Sequence, residues 1–137
     1  VEAGCWGGLL TLGAKVRGVA GVVADGPLRD VDEAIAYDFP VWAASLTSRT
    51  ARGRVVELGV QVPVDIGDGV GTVAVHPGDY VLADRSAVIV IAAADIDRVL
   101  DAAEAIVAKE AAMAKALLAG TPVSQVMGGN YEHMLQG

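Results

Sequence analysis

Several things are scarce in this chain, and each scarcity closes a door. Cys5 is the single cysteine, so no disulfide can form within the chain. A reducing, cytoplasmic compartment is therefore the simplest expectation. Aromatic residues make up only 4%, so Val, Ala, Leu and Ile must build the core. Basic residues are outnumbered 17 to 10, giving a formal charge of −7. Such a surface repels phosphate backbones and argues against general nucleic-acid binding, while leaving room for a local anion site. No uninterrupted apolar run is long enough to span a bilayer, and the opening residues do not read as a secretory signal. An initiator Met is also missing. Val1-Glu2-Ala3 reads like the end of a strand already under way, so a fragment, a processed product or one piece of a split protein is expected.

What is present suits one α/β domain over residues 1–137, with hydrophobic residues at 53%. A first helix is expected from Gly7 to Arg17, with apolar positions too dense for one stripe and hence buried on more than one side. Gly18 is a plausible left-handed stop. Val19 to Ala24 reads as a buried parallel strand bounded by Asp25-Gly26-Pro27. Asp30-Val31-Asp32-Glu33 opens a second helix as a capping box, with Asp30 as N-cap and Glu33 at its N3 position. That helix ends at Phe39-Pro40, and Pro40 to Ala44 is a second strand, so a parallel pair with a right-handed crossover follows.

The second half changes character. Leu46 to Arg54 is a polar loop; Val55 to Val64, Thr72 to Val75, Tyr80 to Ala83 and Ala87 to Ala92 read as strands joined by short turns, favouring antiparallel pairing. Residues 95–119 form a long helix with Asp95 as N-cap and Gly120-Thr121-Pro122 as its stop, followed by a tail over residues 121–137.

The chemistry gathers between Gly7 and Asp30. Arg29 carries a planar fork of donors suited to a carboxylate, just after a strand end where ligands collect in α/β folds; the ordinary alternative is a surface pair with Asp25 or Asp30. Asp30 is either a helix cap or a ligand for Mg²⁺, which accepts one or two protein carboxylates and keeps several waters. The amides of Gly7, Gly8, Leu9 and Leu10 form a first helical turn that favours an anion, or else merely a Gly-eased bend. Glu110, in the long helix, either reaches solvent or enters a neighbouring subunit's site. His76 and His133 have no partners at metal-ligand spacing, and Gly67-Asp68-Gly69-Val70-Gly71 reads as a hairpin turn rather than a phosphate loop. Cys5 is either a reactive thiol or, more ordinarily, a small packed residue.

Taken as a set, Gly7-x-Leu9-Leu10, Arg17-Gly18-Val19-x-Gly21, Asp25-Gly26-x-x-Arg29-Asp30-Val31, Phe39-Pro40-Val41 and Pro77-Gly78-Asp79-Tyr80-Val81-x-Ala83-Asp84 resemble the RraA-like proteins. That family includes 4-hydroxy-4-methyl-2-oxoglutarate (4-carboxy-4-hydroxy-2-oxoadipate) aldolases and the regulator of ribonuclease E activity. The resemblance implies an αββα sandwich of the swivelling β/β/α type, here lacking the usual N-terminal segment, assembled as a homotrimer or homohexamer with sites between subunits. It implies that Arg29 holds the carboxylate of a pyruvoyl group, assisted by the amides of Gly7 to Leu10. Asp30 would bind Mg²⁺ or Mn²⁺, Asp25 would be catalytic together with Arg29 and Asp30, and a Glu of a neighbour's C-terminal helix (Glu110, with Glu104 as the other candidate) would contribute. The implied activity is a metal-dependent 2-oxo acid lyase releasing pyruvate, with oxaloacetate decarboxylation as a side activity. The alternatives are a non-catalytic protein-binding regulator, or a subunit completing the sites of a longer partner chain. One position departs from the aldolases: they carry an acidic residue where this chain has Gly8, and that carboxylate helps to order metal-bound water. The departure predicts less than full aldolase activity or a changed substrate.

Overall fold

The computed structural model describes residues 3–67 and 71–128. They fall into two compact units, Val1–Val90 and Ile91–Gly137. The class is mixed α/β: four α-helices and six short strands among the described residues.

The first unit opens with α1 (Gly8–Val16), β1 (Val22–Leu28), α2 (Val31–Ala36) and β2 (Val41–Leu46). β1 and β2 pair in parallel, as the strand–helix–strand order requires. Gly18 takes a left-handed φ of 77° and ends the turn after α1. β1 differs from its expected span. It runs through Asp25-Gly26-Pro27 instead of stopping there, because a bulge absorbs the two difficult residues. Asp25 and Gly26 together face the single Ala44, and the register resumes at Pro27 opposite Ser45. Pro27, with no N–H to give, is tolerated at such a bulge, and its carbonyl still accepts from the Cys5 N–H at 2.9 Å. Trp6 bridges Leu28 in parallel, so the segment before α1 lies along the end of β1.

α1 is not buried on several sides. Its inward face is small, Gly8 and Thr11, whereas Leu9 is 87% exposed and Val16 is also exposed. The Lys15 ammonium reaches the carbonyl of Tyr37 at the C-terminal end of α2, where the helix dipole favours a cation. The buried apolar residues described are few: Ala3, Leu28, Ala34 and Phe39.

The capping box at α2 does not form. Asp30 is the N-cap, but it sits in the left-handed region (φ 57°, ψ 42°) and its side chain makes no bond to its own helix. Residues 55–63 form no strand either; β3 is only Val64–Gly67. Gln61 has a positive φ of 57° and Pro63 cannot donate, so no ladder extends through this segment, and Leu58 is 96% exposed. β3 pairs antiparallel with β4 (Thr72–Val75). Residues 68–70 of the expected hairpin turn lie outside the described residues. β5 (Tyr80–Ala83) pairs with β6 (Val88–Ile91), so the strands make three two-stranded sheets.

The second unit holds a 3₁₀ turn (Ala93–Asp95), α3 (Ile96–Leu118) and α4 (Val123–Val126). α3 matches the expected helix, and Gly120 (φ 91°) follows it as a stop. Asp95 makes no side-chain cap; its carboxylate pairs instead with Arg98 at 3.0 Å. α4 occupies part of the tail, and residues 129–137, with His133, lie outside the described residues.

Candidate functional site

Three glycines and three charged side chains are packed against one another around the start of α1. The backbone sets the frame: the Arg29 N–H donates to the Trp6 carbonyl at 2.9 Å, and the Gly4 N–H to the Arg49 carbonyl at 3.0 Å. The Arg29 side chain lies over Gly4 and Gly7. A Cβ on Gly4 would stand 2.7 Å from Arg29 Cγ, and one on Gly7 would stand 2.9 Å from Asp30 Oδ2. Neither contact is sterically tolerable without movement, so glycine at both positions is a requirement of this packing.

Asp30 spends its side chain on the other helix. Its Oδ2 accepts from the Gly8 N–H at 3.1 Å and from Arg29 Nη2 at 3.2 Å. The left-handed backbone of Asp30 is what turns the carboxylate away from α2 and toward α1. A carboxylate at a helix N-terminus is stabilised by about 0.3–1 kcal/mol at an exposed site. The Arg29–Asp30 pair is about one-third exposed on each side, so its own contribution to stability is small, on the order of 0–1 kcal/mol. Its value is positional: it aims the remaining guanidinium donors and leaves Asp30 Oδ1 without a hydrogen bond among the described residues.

Thr11 locks this end of α1. It is fully buried, its hydroxyl donates to the Gly7 carbonyl at 3.0 Å, and it accepts from Trp6 Nε1 at 2.9 Å. The amides of Gly8, Leu9 and Leu10 precede the first intrahelical bond, Thr11 N–H to the Gly7 carbonyl; Asp30 takes that of Gly8, and those of Leu9 and Leu10 are available to acceptors from outside the helix.

These groups line a hollow of about 410 Å³ that contains Gly7, Gly8, Leu9, Leu10, Arg29 and Asp30. Six of the seven residues read from the sequence as catalytic or substrate-binding are thus brought together. Asp25 is not. It lines a second hollow of about 1080 Å³ between β1, β2 and the later strands, where its Oδ2 accepts from the Gly67 N–H at 3.3 Å. The bulge separates the two acids: it lies between Ala24 and Pro27 and hands Asp25 to one side of the strand pair. Asp84 also lines the larger hollow, and its carbonyl accepts from Trp42 Nε1 at 2.7 Å. The backbone N–H groups of Ser86 and then Ala87 hold the Asp84 carboxyl below its ordinary pKa. Glu104 and Glu110 lie on α3, in the other unit. His76 belongs to a turn, its N–H donating to Asp79 Oδ2 at 2.8 Å.

One further residue lines this site. The sequence marks Glu33 only as a partner in a capping box, yet its carboxylate lies against Gly8, in the space that a Cβ there would occupy, and it lines the smaller hollow. No sequence pattern would have pointed to it, because the signal is the unusual φ of Asp30. Thr11 and Trp6 were likewise invisible as a latch.

The donor set suits a hard divalent cation. Asp30 and Glu33 offer carboxylate oxygens around one hollow, and no cluster of three or more His, Cys, Asp or Glu side chains occurs among the described residues. Mg²⁺ and Mn²⁺ need few protein ligands of this kind and retain water for the rest. No helix of the described residues is long and apolar enough to cross a membrane.

Several known proteins are similar to this chain. A protein from Methanocaldococcus jannaschii of uncharacterised function is 33% identical over 126 residues, covering 92% of this chain and 58% of that protein. A putative 4-hydroxy-4-methyl-2-oxoglutarate aldolase from Halalkalibacterium halodurans is 33% identical over 92 residues, 66% of this chain and 41% of the other. The crystal structure of an uncharacterised protein from Pseudomonas syringae pv. tomato superposes with a TM-score of 0.85 at 27% identity, over 93% of this chain and 62% of that one. The chain thus spans little more than half the length of the M. jannaschii protein. The model of the RraA-like family, Aldolase/RraA, matches residues 1–90, and the chain belongs to that family.

Proposed function

We propose that the protein is a divalent-metal-dependent lyase acting on small 2-oxo acids, cleaving a C3–C4 bond to release pyruvate, with oxaloacetate decarboxylation as a side reaction. The observation that carries this reading is the convergence of Arg29, Asp30 and the first-turn amides of α1 on one hollow. The name of the H. halodurans relative supports the same class of reaction.

The residues divide the work by charge. The Arg29 fork binds the substrate carboxylate, and the Leu9 and Leu10 amides add donors to it. Asp30 would hold Mg²⁺ or Mn²⁺, with Glu110 of a neighbouring subunit as a further candidate in an assembled oligomer. When bound, that cation supplies Lewis acidity, stabilising negative charge on the 2-oxo oxygen by several kcal/mol. In the retro-aldol direction the C4 hydroxyl loses its proton, the C3–C4 electron pair passes into the pyruvate enolate, and C3 is then protonated. In oxaloacetate the same enolate forms with loss of CO₂. Arg29 serves both substrates because it binds the part they share.

Exposed apolar side chains in the first unit, Leu9, Val16, Ile35 and Leu46 among them, support a homotrimer or homohexamer in which they are covered. They equally suit a non-catalytic regulator that binds a protein partner, or a subunit that completes a longer chain, and catalysis separates these readings. The experiment is pyruvate release from oxaloacetate and from 4-hydroxy-4-methyl-2-oxoglutarate, with Mg²⁺ or with a chelator. Metal-dependent turnover, lost in Arg29→Ala and Asp30→Ala, establishes the lyase. A folded protein without turnover on either substrate makes the regulator the better account. Cytoplasmic residence is part of the same proposal.

A further inference from the structure

We infer that Glu33 is a positioning residue of this site, supplying from α2 the second carboxylate for which position 8 has no side chain. The inference rests on the lyase reading and extends it to a residue outside the Gly7–Leu10 turn and the Arg29-Asp30 pair.

Three observations meet at Gly8. Its N–H is bonded to Asp30 Oδ2 at 3.1 Å. A Cβ built on it would collide with the Glu33 carboxylate. Both acids and Gly8 line the same hollow. The cause lies in the entry to α2. Were Asp30 an ordinary N-cap, Glu33 would fold back toward the Asp30 N–H in a capping box. With Asp30 left-handed and uncapped, Glu33 makes no such bond and lies instead over the first turn of α1. Among the described residues no hydrogen bond or ion pair involves its carboxylate, so its oxygens remain available to water or a cation. Asp32 is the internal contrast: it is equally acidic and in the same first turn of α2, but it does not line the hollow.

Two consequences follow from the shared space. A side chain at position 8 and the present placement of Glu33 exclude each other. An acid at either position, but not at both, completes the site. The role assigned to Glu33 is to orient water around the cation held by Asp30, a contribution whose loss elsewhere weakens metal binding by about 10–100-fold.

The test is Mn²⁺ binding followed by electron paramagnetic resonance of the free ion, alongside circular dichroism and pyruvate release. Wild type, Glu33→Gln, Asp32→Asn, Asp30→Asn, Gly8→Asp and the double variant Gly8→Asp with Glu33→Ala are compared. Glu33→Gln should keep its fold but bind Mn²⁺ about 10-fold or more weakly, and Asp32→Asn should match wild type. Gly8→Asp alone should displace the flexible Glu33 carboxylate with little loss of thermal stability, and the double variant should regain Mn²⁺ affinity relative to Glu33→Gln. If Glu33→Gln binds Mn²⁺ like wild type while Asp30→Asn does not, Glu33 has no such role and the lyase reading stands. If wild type binds no Mn²⁺ and releases no pyruvate, both fall together.

Discussion

The two hollows of the first unit share a strand, β1, and differ in almost everything else. The smaller one, about 410 Å³, collects a guanidinium, two carboxylates and the amide end of a helix. The larger one, about 1080 Å³, is lined mainly by Val, Ala, Ile and Gly, with Asp25 and Asp84 both engaged by backbone N–H groups. Size alone would select the larger. Chemistry favours the smaller, because there a guanidinium and two carboxylates meet the first-turn amides of α1, whereas Arg85, Asp25 and Asp84 line the larger one without a helix N-terminus. The lesson lies in placement: Asp25 and Asp84 hold backbone N–H groups of the later strands and turns, whereas Asp30 and Glu33 lie at the first turn of α1.

The largest test of that contrast is mutational. Arg29→Ala should reduce pyruvate release by about 10²–10³-fold, the size of effect seen when one charge-stabilising group is removed from a site. Asp25→Asn, measured beside it, should change turnover only a few-fold, although it weakens the link from β1 to the Gly67 N–H. Equal losses in the two variants would erase the distinction between the hollows. Next in size, Gly7→Ala should impair both metal and substrate binding, since the new Cβ meets Asp30 Oδ2 at 2.9 Å and must displace it. Calorimetry of 2-oxo acid binding in the presence of Mg²⁺ reads this directly.

Thr11→Val should cost about 1–3 kcal/mol in chemical denaturation, because the part-buried Trp6 indole N–H loses its acceptor, while the Gly7 carbonyl keeps the backbone N–H of residue 11. The smallest effect belongs to the larger hollow. The Asp84 carboxyl is held below its ordinary pKa by the Ser86 and Ala87 N–H groups. The folded value is thus below the unfolded one, so the contribution is complete above the unfolded pKa and fades as pH falls toward the folded one. NMR titration should place the Asp84 midpoint below that of an unfolded peptide, and Asp84→Asn should flatten stability only at the acid end.

Much of this arrangement can be read from the sequence because local signals agree with it. Gly18 and Gly120 stop helices where left-handed glycine is needed, and the α3 period predicts that helix almost to the residue. The Gly7 to Asp30 cluster is legible because first-turn glycines and a post-strand Arg-Asp pair are chemistry tied to position. What escapes the sequence depends on long-range contacts. Val19–Ala24 looks like the whole of β1, but pairing with β2 carries the strand through Asp25-Gly26-Pro27 by a bulge. Residues 55–63 have strand composition without a strand partner. Asp30 and Glu33 spell a capping box, and the contact of Asp30 with Gly8 overrides it. The bulge takes Asp25 out of the site, and the override at Asp30 brings Glu33 into it.

The most direct measurement is a crystal structure with Mn²⁺ and pyruvate, using anomalous scattering to locate the metal. The account predicts an anomalous peak beside Asp30, with the pyruvate carboxylate on Arg29 and the first-turn amides of α1. A peak in the larger hollow beside Asp25, or pyruvate bound away from Arg29, would contradict it.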